Sequence, residues 1–217
     1  MLKIHLNVLD KKRQKMLNIL NFLGDYGVYL AGGTALALQI GHRSSVDFDL
    51  YTPKSFKKGE LLRIFRERFY DLKVIRDQED TFEFNVKGIH ISNFYYPYKL
   101  LKKPLNWKGV LIASAEDIAA MKILAISQRG KRRDFIDMYY LISMFGLGPI
   151  LEMTERKFPE FDIYNGLRGL IFFSDADEDR EVKRVKVFGR GPSWKKIKKF
   201  IEKKVFEYQK KSILSGK

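Results

Sequence analysis

Two aspartates separated by one residue, Asp47 and Asp49, have a spacing that suits phosphate chemistry assisted by a metal ion. They alternate with Val46, Phe48 and Leu50, a pattern typical of a strand with one buried face. Because successive side chains on a strand point to opposite faces, the two carboxylates would share the face that is not buried. A cation would offset their mutual repulsion. The pattern therefore predicts that Asp47 and Asp49 bind Mg²⁺, as in two-metal phosphoryl transfer.

The segment Gly32-Gly33-Thr34, shortly before the aspartates, is a candidate phosphate-binding turn. The glycines would let backbone N–H groups approach an anion, and a helix starting at Thr34 would add its positive N-terminal end. The Thr34 hydroxyl would cap that helix or contact a phosphate. The alternative is an ordinary strand-to-helix turn, because the Gly-Lys-Ser/Thr ending of a P-loop is missing. Arg43, just before the aspartates, would pair with a phosphate or with one carboxylate.

A third cluster lies further along the chain, where Lys122 occurs in an apolar helical stretch. A lysine on an inner helix face needs an anion or a carboxylate to offset its burial. Asp134 and Asp137 would share one face of the next helix, at positions i and i+3. The alternative is that Lys122 extends to the surface while Arg133 and the two aspartates form local salt bridges.

The elements that must position these residues follow from hydrophobic periodicity and from Gly and Pro breaks. A small mixed αβ unit precedes a helical unit, which predicts an α+β fold with domains 1–110 and 111–217. The last predicted helix is rich in lysine, and it would either contact RNA phosphates or simply pack its apolar side on the core. The predicted strands are 28–31, 46–51, 72–76, 81–86 and 89–95, and the main predicted helices are 34–40, 114–128, 133–144 and 195–211.

Composition limits the classes of partner and of chemistry. The chain has 217 residues with 41 basic and 26 acidic side chains, a formal net charge of +15 and a pI near 9.8. This imbalance favours polyanionic partners, nucleic acid first. The absence of cysteine excludes disulfides, thiolate catalysis and cysteine-ligated zinc. Without a signal-like segment or a long apolar stretch, we expect a cytoplasmic protein with no membrane partner.

The three clusters together resemble the minimal nucleotidyltransferases of the DNA polymerase β-like superfamily, and most closely the AbiEii-type toxin family. The resemblance covers residues 29–141 and depends on the order and spacing of all its pieces. Those pieces are Tyr29-Leu30-Ala31-Gly32-Gly33-Thr34-Ala35-Leu36-Ala37-Leu38, His42-Arg43-Ser44-Ser45-Val46-Asp47-Phe48-Asp49-Leu50-Tyr51, Ala120-Met121-Lys122, and Arg129-Gly130-Lys131-Arg132-Arg133-Asp134-Phe135-Ile136-Asp137-Met138-Tyr139-Tyr140-Leu141.

The resemblance implies a fold and a set of roles. The fold would be a polymerase β-like core, a small mixed sheet with flanking helices, followed by a helical C-terminal part. Mg²⁺, or alternatively Mn²⁺, would be the cofactor and a nucleoside triphosphate the donor substrate. The implied residues are Gly32, Gly33, Thr34, Arg43 and Arg133 for the triphosphate, Asp47 and Asp49 for the metal, Lys122 for a phosphate contact, and Asp134 to complete the catalytic set.

One departure from the family pattern concerns a third acidic residue, which these enzymes usually carry on a later strand. Here the matching strand, 89–94, offers Ser92 or Asn93 instead of a carboxylate, and Glu83 is a less favoured substitute. We expect nucleotide transfer to tRNA or another RNA, as the toxin of a toxin–antitoxin or phage-defence pair with a cognate antitoxin. The alternative is a catalytically weakened module that binds nucleotide, RNA or a protein. Transfer to a small molecule or to a protein is a third, less favoured possibility.

Overall fold

The chain divides into two units on either side of the Ser114–Ala115 bond. The computed structural model describes residues 3–53 and 59–214. The strands of the first unit are β1 Tyr29–Ala31, β2 Phe48–Thr52, β3 Leu72–Gln78, β4 Thr81–Val86, β5 Ile89–Tyr95, β6 Leu105–Trp107 and β7 Val110–Ile112. Its helices are α1 Lys11–Ile19, α2 Gly32–Ile40 and α3 Glu60–Arg68, with 3₁₀ turns at Leu6–Val8 and Leu20–Tyr26.

The strands of the first unit form one mixed sheet in the order β3-β4-β5-β2-β1-β7-β6. β2 lies between β1, its antiparallel neighbour, and β5, its parallel neighbour. The five strands predicted from the sequence are confirmed, with boundary shifts of one or two residues. β6 and β7, of three residues each, were not predicted.

The two faces of the sheet differ around β2. Phe65 of α3 packs on Phe84 of β4 with 4.5 Å between ring centroids. Phe84 pairs with Ile91, and Ile91 pairs with Phe48. Because paired residues on neighbouring strands share a face, α3 covers the face that contains Phe48. Asp49, the next residue along β2, therefore lies on the opposite face.

The second unit is helical and confirms the predicted α+β class. Its helices are α4 Ala115–Gln128, α5 Arg132–Phe145, α6 Leu147–Lys157, α7 Ile163–Ile171, α8 Ser174–Glu178 and α9 Trp194–Leu214, with a 3₁₀ turn at Arg180–Arg184. α4 packs against α5, α6 and α7, and α9 contacts the same three helices. On α9, Ile197, Ile201 and Val205 are buried, as the amphipathic pattern predicts. No helix in the described part of the chain is long and apolar enough to span a bilayer.

Candidate active site

The candidate phosphate turn connects β1 directly to α2. The helix begins at Gly32, two residues earlier than predicted, and its N-cap residue Ala31 contributes no side-chain hydrogen bond. The expectation that Thr34 caps the helix is therefore wrong. The first N–H groups of a helix have no acceptor within it, and here they belong to Gly32, Gly33 and Thr34. The structure thus places the three predicted phosphate-binding residues in the first turn, where an anion is best stabilised.

Close packing explains why both turn positions are glycine. Gly32 has a positive φ of 65°, and a Cβ there would lie 2.6 Å from Oδ2 of Asp49. A Cβ at Gly33 would collide with the guanidinium of Arg43. The Asp49 carboxylate therefore lies against the first residue of α2, with the arginine against the second. Any larger side chain at either position would push a predicted site residue out of place.

The Thr34 hydroxyl ties the turn to the segment that carries the aspartates. Its Oγ1 is 2.7 Å from Oγ of Ser45 and donates to the carbonyl oxygen of Asp47. Thr34 is buried, so this hydroxyl acts inside the fold and fixes the distance between the α2 N-terminus and Asp47. Its phosphate contact through the side chain stays a prediction, whereas its backbone N–H lies in the first turn of the helix.

Arg43 is 1% exposed, which makes it one of the largest fully buried side chains in the described residues. Its Nη1 donates to the carbonyl oxygen of Ser44 at 3.0 Å. The guanidinium therefore packs against Gly33 in the interior of the first unit. Its predicted direct contact with a phosphate stays a prediction, and its full positive charge beside the turn favours an anion there even without contact.

Both aspartates are half-buried, and they lie at the start of β2 with Phe48 between them. Asp49 is the second residue of the strand, with Ala31 on one side and Ser92 of β5 on the other. Asp47 was predicted on the strand but lies one residue before it. The hydrogen bond from Thr34 to its carbonyl oxygen fixes the position of Asp47. Strand pairing on both sides of β2 fixes the position of Asp49.

The register settles which residue of β5 lies beside the aspartates. Ser92 pairs with Asp49, whereas Asn93 accepts a hydrogen bond from Thr52 at 3.1 Å on the other face. Glu83 pairs with Ser92, so its Cα is two strands away from Asp49, about 10 Å. His90 contacts the Glu83 carboxylate at 3.2 Å. The strand position next to Asp49 thus carries a hydroxyl, and the nearest acidic residue on that face of β4 is engaged by a histidine.

The donor set fits a metal ion that arrives with its substrate. Across residues 3–53 and 59–214, no group of three or more His, Cys, Asp or Glu side chains has the geometry of a metal site. Asp47 and Asp49 supply two carboxylates. Mg²⁺ is commonly held by one or two carboxylates together with waters and substrate phosphates. These residues therefore suit an ion that is coordinated jointly with a nucleoside triphosphate.

The Lys122 cluster forms inside the second unit. Lys122 on α4 donates to Asp134 at 2.5 Å and lies 2.8 Å from Asp137, both on α5. Its side chain is 8% exposed, so the alternative that it extends to the surface is wrong. Arg133 is half-buried beside Asp134. Two predicted site residues, Lys122 and Asp134, are thus in direct contact, and Asp137 is a second carboxylate partner of the lysine.

Sequence reasoning missed a second buried ion pair in the same unit. Lys157 at the end of α6 donates to Asp117 of α4 at 2.7 Å, and both side chains are completely buried. Asp117 lies at a capping-box position of the predicted helix, which is a local signal. Its partner is forty positions later in the chain. Lys157 continues the buried face of α6, and this position could have predicted a buried lysine in need of a carboxylate.

Comparisons with known proteins identify a family model, a relative in sequence and chains of similar fold. The family model described as "Nucleotidyl transferase AbiEii toxin, Type IV TA system" matches residues 19–102 and 97–204. The uncharacterized protein aq_aa25 of Aquifex aeolicus is 35% identical over 188 residues, which cover 83% of this chain and 87% of that protein. JHP933 from Helicobacter pylori has a similar fold, with a TM-score of 0.57 at 19% identity, covering 95% of this chain and 98% of that one. The antibiotic-resistance factor ANT(2'')-Ia reaches a TM-score of 0.51 at 15% identity, covering 66% and 90%.

Proposed function

Because the chain belongs to the AbiEii nucleotidyl transferase toxin family, and is thus a nucleotidyltransferase, we propose that it transfers a nucleotide to RNA, with tRNA as the foremost acceptor. It would act as the toxin of a toxin–antitoxin or phage-defence pair with a cognate antitoxin. The observation that carries the proposal is the close approach of Asp49 to Gly32. It brings a carboxylate pair, which attracts a cation, against a helix N-terminus, which attracts an anion. A triphosphate with its metal ion satisfies both.

Each predicted site residue of the first unit has a proposed role in this transfer. The backbone N–H groups of Gly33 and Thr34 bind the triphosphate, and the buried charge of Arg43 supports them. Asp47 and Asp49 hold Mg²⁺, with Mn²⁺ as the alternative. The ion supplies charge neutralisation for the attacking oxygen and for the departing pyrophosphate. The acceptor hydroxyl attacks the α-phosphorus as the bond to pyrophosphate breaks.

Lys122, Arg133 and Asp134 are the proposed contributors of the second unit. Lys122 and Arg133 are candidates for phosphate contacts, and Asp134 for the catalytic set. Asp134 and Asp137 both contact the ammonium group of Lys122, which holds the side chain in position. A side chain held by two partners loses little further freedom when it meets a substrate.

The charge distribution supports RNA as the acceptor. The net charge of +15 favours a polyanion, and α9 directs much of this charge outward. Its apolar side is buried, whereas Lys195, Lys199 and Lys203 are exposed. Reversing these three charges should weaken RNA binding and flatten its salt dependence. Binding that is unchanged in the triple variant would remove α9 from the interface.

The decisive experiment is label transfer. The purified chain is incubated with each labelled nucleoside triphosphate, Mg²⁺ or Mn²⁺ and total tRNA, and label in the RNA is measured. Asp49→Asn should lose transfer by at least about 100-fold, since metal ions supply several kcal/mol to such reactions. Asp25→Asn is the matched control, because Asp25 is an exposed aspartate of the same unit. Equal transfer by both variants would overturn the proposed site.

A second candidate function is favoured by Ser92, which stands beside Asp49 where a third carboxylate would assist deprotonation of the acceptor. In this alternative the chain binds nucleotide, RNA or a protein partner without appreciable turnover. Nucleotide binding without transfer to tRNA, protein or small molecules would favour it. Growth arrest on expression that is relieved by Asp47→Ala would instead support a catalytic toxin.

A further inference from the structure

A row of aromatic side chains lies beside the aspartates on the same side of the sheet. Tyr29 of β1, Tyr51 of β2 and Phe94 of β5 occupy paired positions on three adjacent strands. Their rings are in contact, with centroid separations of 5.9 Å and 5.4 Å. Tyr96 continues the contact at 5.0 Å from Tyr51, and Tyr98 at 5.0 Å from Tyr96. These five residues are called the aromatic row.

The aromatic row shares its face with Asp49. Tyr51 follows Asp49 by two residues on β2, so both side chains point to one side, about 7 Å apart along the strand. Within the row, Tyr29 is buried, the three middle residues are half-buried and Tyr98 is 42% exposed. The accessible end therefore lies on the β5 side, where the chain leaves the sheet.

The accessible end of the row is flanked by cations and lacks nearby acids in the sequence. No aspartate or glutamate occurs between Glu83 and Glu116. Lys99, Lys102 and Lys103 follow Tyr98 and are all exposed. Exposed aromatic rings next to exposed lysines are the combination by which proteins bind single-stranded nucleic acid, since bases stack on the rings and phosphates meet the cations.

We propose that Tyr98 and Tyr96 form a stacking site for a nucleobase at the single-stranded end of the RNA acceptor, with Lys99, Lys102 and Lys103 taking its phosphates. This inference rests on the proposed RNA acceptor. The three lysines favour RNA over the donor nucleotide as the ligand of this site, because several exposed cations along the chain suit a run of phosphodiesters. Stacking is tolerant of base identity, so the site would select single-stranded ends more than sequences.

The test compares a polyanion that carries bases with one that carries none. The first is a fluorescein-labelled single-stranded oligoribonucleotide of about eight nucleotides, and the second is inorganic polyphosphate of similar charge. Tyr98→Leu should weaken oligoribonucleotide binding by about 5- to 100-fold and leave polyphosphate binding unchanged. Tyr98→Phe keeps the ring and should keep the affinity. Tyr70→Leu is the matched control, because Tyr70 is 100% exposed in the same unit and outside the row.

Each other outcome has a defined meaning. Equal affinities for Tyr98→Leu and Tyr70→Leu would overturn the stacking site while leaving the RNA acceptor intact. If Tyr98→Leu weakens binding of a nucleoside triphosphate but not of the oligoribonucleotide, the row serves the donor base and the proposal is overturned. If the unmodified chain does not bind the oligoribonucleotide, the RNA acceptor itself fails together with the stacking site, and label transfer to tRNA should then be absent.

Discussion

Two buried lysine–aspartate clusters share helix α4, and they differ in the number of carboxylates that face the lysine and in exposure. Asp117 and Lys157 form an ion pair whose side chains are completely buried. Lys122 faces two carboxylates, and its side chain and that of Asp134 are 8% and 10% exposed. The first cluster, called the sealed pair, has no exposed side-chain surface, whereas in the second, called the open cluster, the lysine faces two carboxylates and a small part of it stays exposed. We expect these differences to separate a structural pair from a functional cluster.

The largest effect should come from breaking the sealed pair. Lys157→Met leaves the Asp117 carboxylate buried without its ammonium partner, so the free energy of unfolding should fall by about 3–5 kcal/mol. Urea denaturation of the full chain measures it. Arg156→Met, an exposed neighbour on α6, should change stability by less than about 0.5 kcal/mol. A loss below about 1 kcal/mol for Lys157→Met would mean that the pair is not a structural requirement.

Removing both charges of the sealed pair should recover most of that loss. In the double variant Asp117→Leu/Lys157→Met neither charge of the sealed pair remains, and apolar replacements of buried ion pairs are often neutral or stabilising. We expect recovery of about 3 kcal/mol relative to Lys157→Met, measured by the same denaturation. A double variant that is as unstable as the single one would show that packing, and not the buried charge, dominates at this position.

The open cluster should behave in the opposite way, with a large effect on transfer and a small one on stability. In Asp134→Asn, Lys122 keeps Asp137 as a partner at 2.8 Å, so the free energy of unfolding should fall by less than the about 3–5 kcal/mol expected for Lys157→Met. Transfer of labelled nucleotide to tRNA should fall about 100-fold if Asp134 belongs to the catalytic set. Asp175→Asn, an exposed aspartate of the same unit, is the control. Unchanged transfer would reduce the open cluster to a structural one.

The smallest effect belongs to an exposed pair, Lys131 and Glu181. The hydrogen bond from Lys131 lowers the pKa of the Glu181 carboxyl, and the charges of Lys131 and Arg133 add to the effect. This contribution is present above the ordinary carboxyl pKa and is lost as the pH falls through the lowered one. Glu181→Gln should therefore cost about 0.2–1 kcal/mol near neutral pH and nothing near pH 3. A cost that is the same at both pH values would contradict this account.

Local patterns in the sequence predicted the parts of the site that depend on neighbouring residues. The alternation around Asp47 and Asp49 gave the strand and the face, because side-chain direction on a strand is set by position alone. The apolar surroundings of Lys122 indicated a need for carboxylates, and the structure confirms contact with Asp134 and Asp137. These inferences required no knowledge of distant contacts.

Features that depend on tertiary packing were not predictable in the same way. Arg43 is buried against Gly33, which lies at the other end of α2. The pairing of Lys157 with Asp117 joins residues forty positions apart. Glycine is a poor helix former, so the sequence did not predict that α2 begins at Gly32. Glycine is required there because the close approach of Asp49 leaves no room for a side chain.

The parallel pairing of β1 with β7 has a consequence for the order of events during synthesis. Leu30 pairs with Ile112, so about 80 residues must be translated before β1 gains its second neighbour. At about 5–20 residues per second, that edge stays open for about 4–16 s after the Gly32 turn has been made. We expect ribosome-stalled chains that end before Leu105 to be more sensitive to protease than chains that expose Ile112. A newly made chain would thus pass through a vulnerable interval in which proteolysis competes with completion of its sheet.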